Sequence, residues 1–320
     1  MKILGFGQVL WDLTVEADYS FLEEHGFSVG GHHLVNKETL DKIVEQLEKQ
    51  NHTIIKNSGG SVANVMSNMA KLGSLSAFCG KHGNDQDGYN YMKILEDEGV
   101  ETHGVCDTAN STGQLLSVIT PDKDRTFIVY WGAAGVLPPE MVNVELIKSF
   151  DVCHIEGYLM VNSEAVLWKI FENAKRTIYD LAAYAIVDRT RPVLQKIMKK
   201  HRPYILFSNI FEGKSFTLKE TTEEIIDDML QYSDIAVLTL GEDGVMVKTN
   251  DGRYHFEKAI KTEAVDTTGA GDSFSAGFLY EYLKNEDIVK ATQLGVKTSS
   301  ITIRKLGARS FQKDQLNNFK

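Results

Sequence analysis

The chain has 320 residues, of which 42% are apolar, enough to fill the core of one large domain or two of ordinary size and too many for a disordered or fibrous polymer. Thirty-four basic side chains against 44 acidic ones leave a formal charge of −10, so no broad attraction to nucleic acid or to an anionic membrane is built in, and neither is expected as a partner. The opening residues reach Asp12 and Glu16 too soon for the apolar core of a secretory leader, and no run of eighteen apolar residues occurs, so a cytoplasmic protein is expected. Cys79, Cys106 and Cys153 are odd in number, far apart and free of any CxxC spacing, which predicts buried, reduced thiols.

In chain order, a β-type run at 3–6 comes first, and an amphipathic segment follows at 37–50. At 61–72 the apolar positions Val62, Val65, Met66, Met69 and Leu72 fall on one helical face, and Gly73 supplies the stop. Further strands are expected at 75–79, 152–155, 177–181, 204–207 and 235–240. Helices at 89–98, 163–174, 192–200, 222–231, 272–283 and 286–301 alternate with them. Such alternation predicts an α/β fold with a mostly parallel sheet between helices. Two stretches break it. Residues 9–35 lack a clear period, and 114–120 and 126–131 flank the turn Pro121-Asp-Lys-Asp as a hairpin with no helix between its strands. Together, about 9–35 and 113–132 read as a small β lid inserted into a single domain spanning 1–320.

The 26 glycines are not evenly placed. Asp266-Thr-Thr-Gly-Ala-Gly-Asp272 runs straight into an apolar helix. A helix start leaves backbone N–H groups unpaired and carries partial positive charge, so the amides of Gly269, Ala270 and Gly271 can cradle a phosphoryl group. Glycine leaves room for that close approach, and Asp272 beside it is placed to take a proton from an attacking hydroxyl. A second glycine turn, Asn57-Ser-Gly-Gly-Ser-Val-Ala-Asn64, opens the helix at 61, where Gly59 and Gly60 bring backbone close to a ligand and the Asn64 amide offers both a donor and an acceptor. Gly5-Phe-Gly7 lacks the third glycine of a dinucleotide fingerprint, and no GxxxxGK[ST] occurs.

These residues resemble a known family. Gly59-Gly60-x-x-x-Asn64, continued by Leu72-Gly73, Gly80-Lys-His-Gly83 and Asp85-x-x-Gly88, is similar to the first signature of the ribokinase/PfkB carbohydrate kinases, and Asp266–Asp272 is similar to the second. Between them Asn209-Ile-Phe-Glu212 matches the family's NxxE motif, and Thr239-Leu-Gly-Glu-Asp-Gly244 its nucleotide-contact turn. The resemblance implies a ribokinase-like three-layer α/β/α sandwich and transfer of the γ-phosphoryl of ATP to a primary hydroxyl of a sugar or nucleoside. It implies Asp272 as base and the Gly269–Gly271 amides as anion hole. Asn209 and Glu212 would position Mg²⁺ through water. Thr239, Gly241 and Gly244 would lie along ATP together with Asn209, Gly307 and Ala308, and Asp266 and Thr268 would bind a monovalent cation such as K⁺. On the acceptor side Asp12, Gly59, Gly60 and Asn64 match sugar-gripping positions.

Ribokinases and 1-phosphofructokinases usually carry Lys after the glycine pair, where this chain has Ser61. Gly7-x-x-Leu10-x-Asp12, Asp18-x-x-Phe21-Leu22 and Asp124-Arg125-Thr126 resemble instead the adenosine kinase-like branch, in which a lid aromatic stacks on the base. Trp11, Phe127, Tyr130 and Trp131 are the candidates, and strand alternation allows at most two of them to face the acceptor. His32 and His33 read as a solvated loop pair with a substrate contact as the alternative, and His82 and His154 have no partner at metal-binding spacing. A fructokinase-type or other sugar kinase is the nearest alternative, and a catalytically silent ligand-binding protein the alternative of another class. Monomer and homodimer both fit.

Overall fold

Apolar runs with little alternation belong in parallel strands covered on both faces, and that is where they lie. The computed structural model describes residues 1–318. Its main sheet has nine strands in the order Tyr254–Glu257, Val245–Thr249, Ile235–Thr239, Ile205–Asn209, Thr177–Asp180, Val152–Glu156, Lys2–Phe6, Leu75–Cys79 and Glu101–Thr102. From Ile235–Thr239 to Glu101–Thr102 every neighbouring pair is parallel. The two strands at the other edge form an antiparallel hairpin that was missed in the sequence; its outer strand, Tyr254–Glu257, is four residues long and half-exposed and carries little apolar signal.

One face of the sheet is covered by helices Val144–Ser149, Glu164–Asn173, Tyr184–Lys200, Ile210–Thr217 and Thr222–Met229, packed around Leu4, Ile155, Tyr179 and Leu206. The other is covered by Ser61–Leu72, Gln86–Asp97, Ala270–Asn285 and Ile288–Thr302, around Ile3, Phe78, Ile178 and Phe207. This is the three-layer sandwich expected from the alternation. Helix Tyr184–Lys200 starts eight residues before the predicted 192 and carries Pro192 inside it, burying Val187 as well as Leu194 and Ile197. Burial of that apolar face outweighs the local cost of the proline.

The two excursions join in a second, five-stranded sheet, ordered His32–Leu34, Arg125–Tyr130, Gly113–Ile119, Leu10–Glu16 and Ile55–Ser58. It has a core of its own. Leu13, Val15, Leu116, Val118 and Ile128 pack on Leu40, Ile43 and Leu47 of helix Lys37–Lys49. That helix and strand Ile55–Ser58 therefore belong with the small sheet rather than with the sandwich. By alternation, Asp12, Thr14, Ser117 and Phe127 lie on the opposite face, toward the sandwich.

Among the described residues no helix is long and apolar enough to cross a membrane. Cys79 and Cys153 are buried free thiols whose pKa values burial pushes up to about 12. Cys106 is also free but exposed, contrary to expectation, because it lies on the short strand Val105–Asp107 outside both cores.

Candidate active site

Parallel strands present their carboxyl ends along one edge, where open α/β sheets bind ligands. Here Glu156, Asp180, Asn209 and Thr239 each close their strand, and the second sheet hangs over that edge.

Asp272 lies in the first turn of helix Ala270–Asn285, and its carboxylate is held from the other side of the cleft. Ser61 Oγ donates to one oxygen at 2.7 Å, and Asn64 Nδ2 donates to the other at 2.7 Å. The two glycine turns, 211 residues apart at Ser61 and Asp272, thus meet directly. Burial raises the Asp272 pKa, while the Asn64 and Ser61 hydrogen bonds and the nearby Arg309 charge pull it back. A carboxylate drawn up toward working pH is a better proton acceptor than one at its ordinary value.

The turn before it is less uniform than the sequence suggests. Gly269 has φ of 74°, and a Cβ there would overlap Ala308, so its glycine has a structural cause. Ala270 N–H turns back onto the Thr267 carbonyl at 3.2 Å, which takes it out of the predicted three-amide cradle. Gly271 differs from both. It has ordinary helical φ, nothing lies within 4 Å of where its Cβ would be, and its amide sits where the helix offers no acceptor.

Asp266 does not fit a monovalent cation in this arrangement. One oxygen accepts from Thr268 N–H at 2.9 Å, Thr268 Oγ1 at 2.6 Å and the Arg125 guanidinium at 3.2 Å; the other accepts from Gly307 N–H at 3.1 Å. Burial alone would raise its pKa, yet those donors together hold it below the usual range. Arg125 also donates to Thr268 Oγ1 at 2.9 Å, so the second sheet is pinned to the 266–272 turn by a guanidinium that already supplies the positive charge.

Asn209 and Glu212 form a helix cap. The Asn209 side chain accepts from Phe211 and Glu212 N–H, and the buried Glu212 carboxylate accepts from Asn209 N–H at 2.8 Å and Nδ2 at 2.6 Å. Burial pushes the Glu212 pKa up to about 7, and Asp180, raised first by its own burial and then by the Glu212 charge, shares the strain. Two crowded carboxylates short of positive charge fit a hydrated Mg²⁺ nearby. Among the described residues no three acidic, His or Cys side chains converge on one point. Thr239 ends its strand; Gly241 opens the turn with φ of 63° and open space around it; Gly244 is required by the hairpin, since a Cβ there would strike the Glu257 carbonyl. Ala308 rests on Gly269, and Gly307 donates to Asp266.

On the acceptor side, the Asp12 carboxylate lies so close over Gly59 that a Cβ there would collide with it. Gly60 has φ of 88° and faces the Gln8 carbonyl. Burial pushes the Asp12 pKa up to about 7, with Arg309 opposing the rise and Asp272 adding to it. Of the four aromatic candidates, Phe127 is on the sandwich-facing side of the second sheet, Tyr130 packs against the small core, and Trp11 donates its indole N–H to the Asp87 carbonyl. Trp131 lies one residue past the strand, where alternation no longer assigns its face. His32 is not a loop residue: it pairs with Phe127 on a short edge strand, ring centroids 4.7 Å apart, while His33 bonds back to Ser28.

A family model described as pfkB family carbohydrate kinase matches residues 35–315. The chain belongs to this family. It is a PfkB sugar kinase, a phosphotransferase with an alcohol acceptor, and ATP use follows from the family. A 5-dehydro-2-deoxygluconokinase of Bacillus cereus is 28% identical over 79% of this chain and 82% of its own length. A sugar kinase of Archaeoglobus fulgidus is 28% identical over 75% of this chain and 96% of its own. In structure, the adenosine kinase of Sinorhizobium meliloti superposes with a TM-score of 0.87 at 26% identity, covering 99% of this chain and 98% of that one.

Two PfkB-kinase residues at the centre of this geometry were not singled out as site residues from the sequence. Arg125 was read only as a branch marker, and Arg309 only as part of the Gly307-Ala-Arg-Ser310 loop expected to close over the nucleotide, with no role of its own, because a lone arginine in a loop carries no spacing signal. Ser61, noted as a departure from Lys, is the hydroxyl that grips Asp272.

Proposed function

We propose that this PfkB kinase transfers the γ-phosphoryl of ATP to a primary hydroxyl of a nucleoside, with an adenosine-like acceptor preferred. The observation that carries the reading is Asp272: a half-buried carboxylate at a helix start, gripped by Ser61 and Asn64 of the acceptor turn and one residue from the open amide of Gly271.

The acceptor hydroxyl gives its proton to the Asp272 carboxylate as its oxygen attacks the γ-phosphorus, and ADP leaves from the opposite side. Negative charge building on the transferring group meets the Gly269 and Gly271 amides and the positive end of helix Ala270–Asn285. Asp12 and Asn64 hold acceptor hydroxyls, and Thr239, Gly241 and the 307–308 backbone run along the nucleotide. Asn209 and Glu212 would hold Mg²⁺ through water, and the ion when bound would offset charge on the ATP phosphates. The five-stranded sheet acts as a lid that keeps water from competing as acceptor.

Phe127 beside His32 on the lid face supports a flat base as part of the acceptor. The 5-dehydro-2-deoxygluconokinase relatives favour a second reading, a sugar acid in the same place. ADP release measured with Mg·ATP over adenosine, other nucleosides, pentoses, hexoses and 5-dehydro-2-deoxygluconate, with and without K⁺, separates the two. Asp272→Asn is expected to melt like the parent and bind ATP yet to lose turnover on the order of 10²–10⁴-fold. Near-parental turnover would remove Asp272 as base.

A further inference from the structure

The loop after Gly307 contributes a guanidinium that the mechanism above leaves unused. The Arg309 side chain is only 8% exposed. Its Nε donates to Asn64 Oδ1 at 2.8 Å, one terminal nitrogen donates to the Gly59 carbonyl at 3.0 Å and meets Tyr91 Oη at 3.3 Å, and the other meets Glu98 at 3.3 Å. On its far side, the same Asn64 amide donates Nδ2 to Asp272 at 2.7 Å. One side-chain amide therefore stands between a guanidinium and the carboxylate assigned as base.

An amide has two orientations related by a half turn. Reversed, Asn64 would set its NH₂ against a group with donors only and its oxygen against a carboxylate. While Asp272 is ionised, both neighbours oppose the reversal. Once Asp272 has taken the acceptor's proton it can itself donate, and its half of that constraint lapses. The Arg309 guanidinium offers donors only, so it keeps the amide oxygen turned toward itself through the cycle.

We propose that Arg309 is a positioning residue for catalysis: it locks the Asn64 amide so that Asp272 stays fixed opposite the acceptor hydroxyl. The inference rests on the reading of Asp272 as base. The hydrogen bonds around Arg309 indicate where its loss is felt. Glu98 keeps Lys71 at 3.1 Å, and the Gly59 carbonyl keeps Tyr91 Oη at 2.5 Å. Asn64 Oδ1 has no such substitute donor among the hydrogen bonds of the described residues. Removing Arg309 therefore disturbs the site more than the fold.

Arg309→Met, Asn64→Ala and the double variant make a thermodynamic cycle, read as ADP release with Mg·ATP and the best acceptor of the panel above. Arg309→Met is expected to lower kcat about ten- to a hundredfold with KM for Mg·ATP within about threefold, since misplaced reacting groups lose rate rather than affinity. In the Asn64→Ala background the same change is expected to cost less than about twofold. A crystal structure of Arg309→Met is expected to show Asn64 Nδ2 out of hydrogen-bonding distance of Asp272, a readout that needs no acceptor. Multiplicative losses in the double variant, or an undisturbed Asn64–Asp272 bond with parental kcat, overturn the proposal. If the Met variant does not fold, Arg309→Lys keeps the charge but cannot reach Asn64, Glu98 and Gly59 together, and the same cycle and structure decide. Turnover surviving in Asp272→Asn would sink the base reading instead, while the crystallographic test of the Asn64 tie would still stand.

Discussion

Gly269 and Gly271 look equivalent in the sequence and are not equivalent in the structure, so substituting each by alanine separates architecture from chemistry. Gly271 occupies the second position of a helix with ordinary φ and no atom within 4 Å of a new Cβ. Alanine is the better helix former by up to about 1 kcal/mol, so Gly271→Ala is expected to melt at or slightly above the parent temperature. The methyl group crowds the space through which a phosphoryl oxygen would reach the amide, and loss of one such donor is worth on the order of 10²–10³ in rate. Gly269→Ala reverses the pattern. Its φ of 74° costs alanine about 1 kcal/mol, and overlap with Ala308 adds about 1–3 kcal/mol, so thermal stability falls visibly. Calorimetric melts and steady-state ADP release on the two proteins check both halves. If Gly271→Ala keeps kcat/KM within about threefold of the parent, its amide is not an anion donor and the cradle assignment is wrong.

Arg125→Met removes the pin between the small sheet and the Asp266–Thr268 turn. Because the ion pair is partly exposed, the melting temperature is expected to change little, while turnover falls about tenfold or more and ATP hydrolysis without acceptor rises relative to transfer; an unchanged ratio of hydrolysis to transfer refutes the pin. Glu156, buried beneath Gln8 and Val62 N–H groups, has its pKa pushed by burial from 4.5 to about 8. A carboxyl harder to ionise when folded contributes its full stability below pH 4.5 and loses it as pH rises toward 8, so melts of the parent should weaken across that window by up to a few kcal/mol relative to Glu156→Gln. Parallel pH profiles for the two proteins would show that Glu156 is already ionised in the fold.

The parallel sheet was legible because buried strands are short apolar runs between amphipathic helices, as at 152–155 and 204–207. The helix start at Tyr184 was not, since Pro192 is a strong local stop and only tertiary burial of Val187 overrides it. In the site, the glycine turns could be read because their chemistry lies in contiguous backbone. Arg125, Arg309 and the Ser61–Asp272 contact join segments 141 or more residues apart, and no local period records which loop a folded chain will bring to which. His32 was misplaced for a related reason: a three-residue edge strand exists only because Phe127 is there to pair with.

The small sheet buries one face under its own helix and turns the other toward the cleft. Residues on the first face are bound by packing, whereas Phe127 and His32 on the second are only partly covered. Under the proposed function, substitutions there are expected to change what the cleft accepts at little cost to the fold. For a family that phosphorylates varied acceptors with one phosphoryl-transfer apparatus, that separation makes acceptor preference the most readily revised property of the chain, by natural drift or by design, while the Asp266–Asp272 turn stays constrained from both sides.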